Sequence, residues 1–474
     1  MALMLPELWI TGLLLVLLYL DIQWKDHPRS PLGGLTFLGL LPVIPILVWQ
    51  SAFGTQDLLG GMYRIDPLGL FFKGIFLGTA LLVTLMTREL ASSFEREQGE
   101  FYLLILTACL GMFFVASAGN FLMLFVALEL ITISFYVMTA YLKTDLHSLE
   151  AGLKYLILGS VASGFFLYGI AFIYGSTGTL GFMELRAILQ NLNSLPPGLL
   201  LGLLFTLGGI LFKGACVPFH LWVPDVYEGA PTPVTAFLSV GSKSAGFLVA
   251  LRILFELFLP SRSQWAILIA VLAGLTILYG NLAAIPQKNI KRLLGYSSIG
   301  HAGYLLIGIA AAGSPLGATA ICFYLAGYLV TNLAVFLVVT AFSKETHSDE
   351  MRDYAGLSRR SPFLAAAMFT ALLSLAGVPP LAGFFGKFLL LMSAISEGYL
   401  WLAAIRAAAV VISLYYYLLL VKTMYVDAPE DSTPIPVSLP VRFALIACLV
   451  SILGIGIWQG PFVSFSFAAV KSLF

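Results

Sequence analysis

Apolar runs of about 18–25 residues, each closed by a few polar or turn-forming positions, repeat along the whole chain. A run of that length crosses the roughly 30 Å hydrocarbon core of a bilayer as a helix. Read through a window of about 19 residues, the pattern predicts fourteen spans, near 4–21, 32–52, 66–87, 101–118, 120–142, 149–174, 198–222, 231–258, 264–285, 292–312, 316–342, 361–395, 400–425 and 439–460. Only Gly119 and Asn120 divide the fourth from the fifth. The longest polar connections, 175–197, 343–360 and 426–438, are too short to fold as separate domains. The predicted fold class is an all-α polytopic membrane protein.

Two spans carry their own interruptions. The seventh contains Pro218 and Pro224, and the twelfth contains Gly377, Pro379, Pro380 and Gly383. Proline removes a backbone donor and clashes with the preceding turn, so each helix must break or bulge. Such irregular backbone survives in hydrocarbon only where protein buries it or a wet cavity lies beside it. The two broken spans are five apart, an odd number, so they cross in opposite directions. That parity suits an inverted repeat. It divides the chain into a three-helix segment at 1–100, a first repeat at 101–260, an inverted second repeat at 261–425 and a last helix at 426–474.

Composition sharpens the picture. The 474 residues are 59% hydrophobic and 10% charged, against roughly 25% charged in a soluble domain. Mean hydropathy is +0.96. The lipid bilayer is therefore the main surrounding. A net charge of +1 leaves no nucleic-acid footprint. Cys109, Cys216, Cys322 and Cys448 stand singly in apolar runs, with no spacing for zinc or an iron–sulfur cluster. They read as small core residues. No phosphate-binding, dinucleotide, haem or flavin motif is present, so no redox cofactor is expected in this chain. The first apolar run lacks a basic leader and a small-residue cleavage site, so it is read as a retained span. Loops after odd-numbered spans carry Lys25, Arg29, Arg88, Arg96, Lys143, Lys288, Lys291, Arg292, Lys344, Arg352, Arg359 and Arg360. The other side carries Arg64, Arg186, Arg262 and Lys471. The richer side is expected to be cytoplasmic, with both termini outside.

Against this apolar background a few ionisable residues stand out. Lys213, Lys243 and Lys387 lie deep in spans, where an ammonium costs about 2.5–3.5 kcal/mol on insertion scales. Lys213 is about 22 Å into its span at 1.5 Å per residue, too deep to snorkel easily. The competing reading is a lysine bonded to a nearby carbonyl. Lys243 lies in SVGSKSAGF, where Ser242 and Ser244 can solvate it; the alternative is a small-residue packing motif. Lys387 follows the second break and would otherwise anchor a short helix. Glu129, about 14 Å into the fifth span, must take a proton or find a cation, and Lys213 is the candidate partner. A pair whose separation changes can pass a proton; a fixed pair is a structural salt bridge. His301 suits a proton relay or a hydrogen-bonded core. Lys154 and His220 are secondary candidates. Asp225 and Glu228, at the loop end of the seventh span, either guard an entrance or are solvated.

These residues lie in longer motifs. LFKGACVPFHLWVPDVYEGAPTPVTAFLSVGSKSAGF, Leu211 to Phe247, and ALLSLAGVPPLAGFFGKFLLL, Ala371 to Leu391, resemble the antiporter-like proton-translocating subunits of respiratory complex I and of related cation/proton antiporters. KYLILGSVASGFFLYGIAFIYGSTGTL, Lys154 to Leu180, and DYAGL, Asp353 to Leu357, are similar to the subunit N family, also called subunit 2. The resemblance covers nearly the whole chain. It implies fourteen helices in two inverted five-helix repeats. It also implies a proton path through Glu129, Lys213, Lys243 and Lys387. Lysine at 387 departs from the glutamate usual in subunit M, and the chain has no long lateral helix of the subunit L kind. FMN, iron–sulfur clusters and quinone are expected in partner subunits, which would include neighbouring antiporter-like membrane subunits. The implied activity is proton translocation by an NADH–quinone oxidoreductase in a bacterial inner membrane. The alternatives are a sodium/proton antiporter, a ferredoxin–plastoquinone oxidoreductase of a thylakoid membrane, and a structural spacer.

Overall fold

In hydrocarbon every backbone N–H and C=O must be satisfied inside its own segment, and a helix does this for an apolar run of any sequence. The structure is a computed structural model that describes residues 2–24, 31–90, 98–192, 194–429, 431 and 433–474. The spans are α1 (Leu5–Gln23), α2 (Pro31–Phe53), α3 (Pro67–Glu89), α4 (Gly99–Ala116), α5 (Phe121–Thr139), α6 (Leu146–Thr177), α7 (Pro197–Gly214), α8 (Thr232–Leu257), α9 (Leu259–Ala284), α10 (Ile290–Ala310) and α11 (Pro315–Thr346). The next crossing, α12, comes in two pieces, Pro362–Ala376 and Ala382–Ser396, and α13 (Leu400–Tyr425) and α14 (Leu439–Ile457) follow. Among the described residues, thirteen spans of crossing length and one two-part crossing make the expected fourteen, and the chain is an all-α, multi-pass integral membrane protein.

Helix starts follow local chemistry. Asp66 accepts from the Gly69 N–H at 2.7 Å, and Asn120 from Met123 at 2.8 Å, ahead of α3 and α5. These caps satisfy donors that have no partner within the helix. The short link at Ser117–Asn120 holds because Ala118 bridges to Tyr63, and Asn120 to Gly181. Tyr63 belongs to an antiparallel hairpin, Gln56–Leu58 with Tyr63–Ile65, that the apolar pattern does not predict.

Helices α8, α10 and α11 form the centre: 100%, 94% and 83% of their apolar windows are buried, against 22% for α1 and 28% for α2. Helix α9 lies against α10 so closely that a Cβ on Gly280 would meet the Gly300 nitrogen at 2.3 Å. Small residues allow this approach where lipid supplies no hydrophobic drive between helices.

Loop positions agree with the alternation of spans. Residues from the loops after α3, α5, α7, α9 and α11, including Leu90, Asp145, Glu228, Asn289 and Asp349, line one polar cavity of about 630 Å³. Arg186 and Gly313, from the loops after α6 and α10, and Arg262, in the first turn of α9, line another of about 340 Å³. Of the charges used to orient the chain, Lys25, Arg29 and Arg96 lie outside the described residues.

Candidate functional site

The first break begins one residue after Lys213. Helix α7 stops at Gly214, Ala215 takes a left-handed conformation at φ +63°, and a short helix resumes at Trp222–Gly229. The predicted span limit of 222 therefore overruns the helix. Pro218 lies in the turn, and Pro224 lies in the first turn of the short helix, where its missing N–H has no intrahelical partner to lose. Lys213, buried in the last turn of α7, donates to the Thr132 hydroxyl of α5. Glu129, three residues before Thr132, accepts from Ser163 of α6 at 2.6 Å. Glu129 and Lys213 line the same small cavity, with Ala162, Ser163 and Gly209. Its volume of about 10 Å³ is on the scale of one water. The expected direct pairing is thus corrected. Carboxylate and ammonium share a cavity, but each is held by a hydroxyl, and no ion pair joins them among the described residues.

Lys243 lies at the centre of α8, with 1% exposure. It donates to the Ser298 carbonyl and hydroxyl on α10. Its neighbours Ser242 and Ser244, expected to solvate it, do not. The helix turns them elsewhere, and the Ser244 hydroxyl has no partner among the described residues. The Tyr328 ring lies 5.4 Å from the Lys243 ammonium. Tyr227 bonds the Ser298 hydroxyl at 3.1 Å, and Tyr328 at 3.4 Å. One turn further along α10, the His301 Nδ1 shares a hydrogen bond with Tyr324 and its Nε2 meets Tyr417 at 3.4 Å. His301 and Tyr328 rings are 5.1 Å apart. Lys243, Ser298, Tyr328 and His301 therefore form one buried polar cluster.

The second break lies between Ala376 and Ala382. Gly377 has φ +90°, which only glycine adopts without strain, and Pro379 and Pro380 keep the turn from closing into helix. Lys387 reaches back across the break to the carbonyls of Leu375 at 2.7 Å and Ala376 at 3.0 Å. These are orphan acceptors at a helix C-terminus, the negative end of its dipole. Tyr304 of α10 lies 4.9 Å from the Lys387 ammonium, placing it beside the His301 cluster.

The secondary candidates separate. Lys154 is half-exposed and pairs with Glu150 at 2.8 Å and Asp225 at 2.7 Å. Arg292 completes that network through Asp225 at 2.8 Å and Glu228 at 2.6 Å. Burial pushes the Asp225 carboxyl up, but Lys154 and Arg292 outweigh it and hold the group below the ordinary carboxylate range. Asp225 and Glu228 are thus cross-links rather than free loop charges. His220 is buried, its ring 4.3 Å from Tyr279 of α9.

Other buried charges escape the sequence reading. Lys73 of α3 pairs with Glu7 of α1 at 2.6 Å and donates to the Tyr63 hydroxyl at 3.2 Å. Arg252 of α8 grips Asp66 through two nitrogens at 2.8 Å each and meets Glu256 at 3.3 Å. Arg64 binds Glu256 and also Asp57, the latter at 2.9 Å. Lys73 lies in PLGLFFKGIFL, a run as apolar as those around the other three lysines. That signal was present; the lack of a helix break beside it made it less conspicuous. Among the described residues no cluster of His, Cys, Asp and Glu could hold a metal ion.

Known proteins bear on this arrangement. Residues 118–413 match a family model described as NADH:quinone oxidoreductase/Mrp antiporter, TM. The chain is 44% identical over 451 residues to a Moorella thermoacetica protein named NADH-quinone oxidoreductase subunit N, and the match covers 94% of each. It is 42% identical to a protein from a Synechococcus strain named NAD(P)H-quinone oxidoreductase subunit 2, covering 98% of this chain and 90% of that one. A chain of respiratory complex I from Thermus thermophilus superposes with a TM-score of 0.82 at 32% identity, covering 98% of this chain and 99% of that one.

Proposed function

Since this chain belongs to the NADH:quinone oxidoreductase/Mrp antiporter transmembrane family, we propose that it is a subunit-N-type proton-translocating membrane subunit of an NADH–quinone oxidoreductase. The observation that carries the reading is the set of buried lysines, Lys213, Lys243 and Lys387, each held by hydroxyls or carbonyls, with the His301 and tyrosine cluster lying between Lys243 and Lys387. None of the three is neutralised by an ion pair among the described residues, so Lys243 and Lys387 can give up a proton without stranding a buried counter-charge, while Lys213 keeps Glu129 in its own cavity.

In this reading Glu129 and Lys213 form the switch on the cytoplasmic side. Lys243 carries the proton along the midplane towards His301, and Lys387 passes it to the outer side or a neighbouring subunit. The repeats 101–260 and 261–425 supply the two half-channels, flanked by 1–100 and 426–474. Each charge moved against the membrane potential costs about 2.3 kcal/mol per 100 mV. The drive comes from partner subunits, where FMN, iron–sulfur clusters and quinone would reside, and reaches this chain through packed helices. The membrane is a bacterial inner membrane. The Synechococcus relative, named NAD(P)H-quinone oxidoreductase subunit 2, supports a second host, an NAD(P)H–quinone oxidoreductase. Identification of the copurifying subunits separates the two.

The test is NADH-driven acidification of inside-out vesicles bearing Lys213→Ala or Glu129→Ala. Pumping falls at least tenfold while the assembled complex persists. Parent-level pumping by assembled variants would defeat the assignment.

A further inference from the structure

Among the described residues, one face of α3 is left without a helix to fill it. Pro67, Leu70, Gly74, Gly78 and Leu81 recur every three or four residues, so they share one side. Opposite them stand Ile44 and Val48 of α2 and Ala468 of the terminal helix Gln459–Val470. Phe465 of that helix packs on Phe71 at 5.5 Å and fixes the far wall. The walls enclose an apolar groove of about 460 Å³. From Pro67 to Leu81 it runs about 21 Å, at 1.5 Å per residue. Glycines in a membrane helix commonly admit a close neighbour, as Gly280 admits Gly300. On α3 they do not. A Cβ on Gly74 would meet nothing within 4 Å, and one on Gly78 would touch only Leu329, at 3.5 Å. Here the small residues keep a slot open.

The slot is shaped for a hydrocarbon chain. Ser51 is the one lining residue with a polar side chain, and its hydroxyl donates to the Val48 carbonyl at 2.7 Å. Water would find no partners there, and apolar cavities of this kind stay dry. A helix about 10 Å across would need roughly 1,600 Å³ over the same length, far more than the groove holds. The mouth lies where α2 ends and α3 begins, at Ser51 and Pro67. Trp49 and Phe53, 44% and 41% exposed with rings 4.6 Å apart, mark the headgroup level there. From that level the groove runs past the middle of a hydrocarbon core about 30 Å thick. Charge at the mouth is complementary to a phosphate. Lys471 is exposed, three residues beyond Ala468 and on the same side of the helix. The carboxylate next to Pro67, that of Asp66, is already held by Arg252.

We propose that this groove is a binding site for an anionic phospholipid of the leaflet on the even-numbered-loop side. One acyl chain lies along α3 between α2 and the terminal helix, and the phosphate meets the Lys471 ammonium. The lipid takes the place of a missing helix and joins three elements that touch one another only at the rim. Basic residues at a membrane surface attract anionic lipid in this way. The site is independent of the proton path.

The test uses the intact complex reconstituted with phosphatidylglycerol that carries a photoreactive diazirine on one acyl chain. After illumination, peptide mass spectrometry finds the label on α3 between Leu70 and Leu81. Gly74→Leu, which fills the groove with a better helix former than glycine, lowers that label at least fivefold while the label summed over the complex is unchanged. Lys471→Gln lowers it at least threefold, and a phosphatidylcholine probe labels the parent at least threefold less than phosphatidylglycerol does. If Gly74→Leu does not assemble, Val48→Trp fills the groove from the opposite wall and is read by the same criteria. No label on α3 of the parent, the result of a partner subunit covering the groove, would overturn the site. Equal label in parent and filled variant, marking contact with bulk lipid only, would overturn it too. Equal labelling by the two headgroups, with Lys471→Gln at the parent level, would overturn the choice of an anionic lipid.

Discussion

The two broken helices place their lysines on opposite sides of the break. Lys213 comes just before the first interruption and reaches sideways to a hydroxyl on α5, one turn from a carboxylate. Lys387 comes after the second and reaches back to two backbone carbonyls of its own helix. A side-chain partner can rotate away and a carboxylate can exchange its proton. The carbonyls at a helix end can do neither. In the proposed mechanism the first half therefore changes its pairing, and the second holds a proton in one place until something beyond it accepts. Proline alone does not distinguish the two; what surrounds the ammonium does.

Exchanging the residues at the turns sharpens this contrast. Gly377→Ala is the most damaging single change. A side chain at φ +90° enters a left-handed conformation that costs roughly 1–2 kcal/mol. Its Cβ would also lie 2.9 Å from the Lys387 Cδ, displacing the lysine from its carbonyls. Thermal unfolding of the solubilised complex should shift down, and pumping should fall. The matching change in the first half runs the other way. Ala215→Gly relieves the left-handed alanine after Lys213 but frees the unfolded chain, so it stabilises by no more than about 1 kcal/mol. A large loss of stability in Ala215→Gly would break the comparison.

The smallest effect lies at the loop end of the first half. Asp225 has a folded-state pKa below its ordinary 3.8. Its contribution is fully present above that value and is lost as pH falls through the lower, folded one. The group is 32% exposed and lies at the loop end, so screening limits Asp225→Asn to less than about 1 kcal/mol at neutral pH. A denaturation series in pH should find parent and variant converging under acid conditions. A gap that widens there would contradict the ion-pair account.

Much of this was legible in the chain itself. Apolar length gave fourteen crossings, with 400–425 reproduced by α13, and paired prolines located both breaks. The end of α7 was not legible, because a broken helix stops where its last carbonyl finds a partner and not where apolar residues run out. Nor was the partner of Lys213. Glu129 was the obvious counter-charge on chemical grounds, but Thr132, on the same helix three residues on, takes the bond. The clamp of Arg252 on Asp66 joins residues far apart in sequence, and only the packing of α3 against α8 brings them together. Lys73 was as visible as the other intramembrane lysines and lacked only a conspicuous neighbour.

Lys243 of α8 bonds Ser298 of α10 at the buried centre, so its removal tests the proposed proton path most directly. The decisive measurement is NADH-driven proton uptake into inside-out vesicles carrying Lys243→Ala, normalised to the amount of assembled complex. The account predicts a fall of at least tenfold, with the complex intact. Uptake at the parent rate would mean that protons do not cross by way of this buried ammonium.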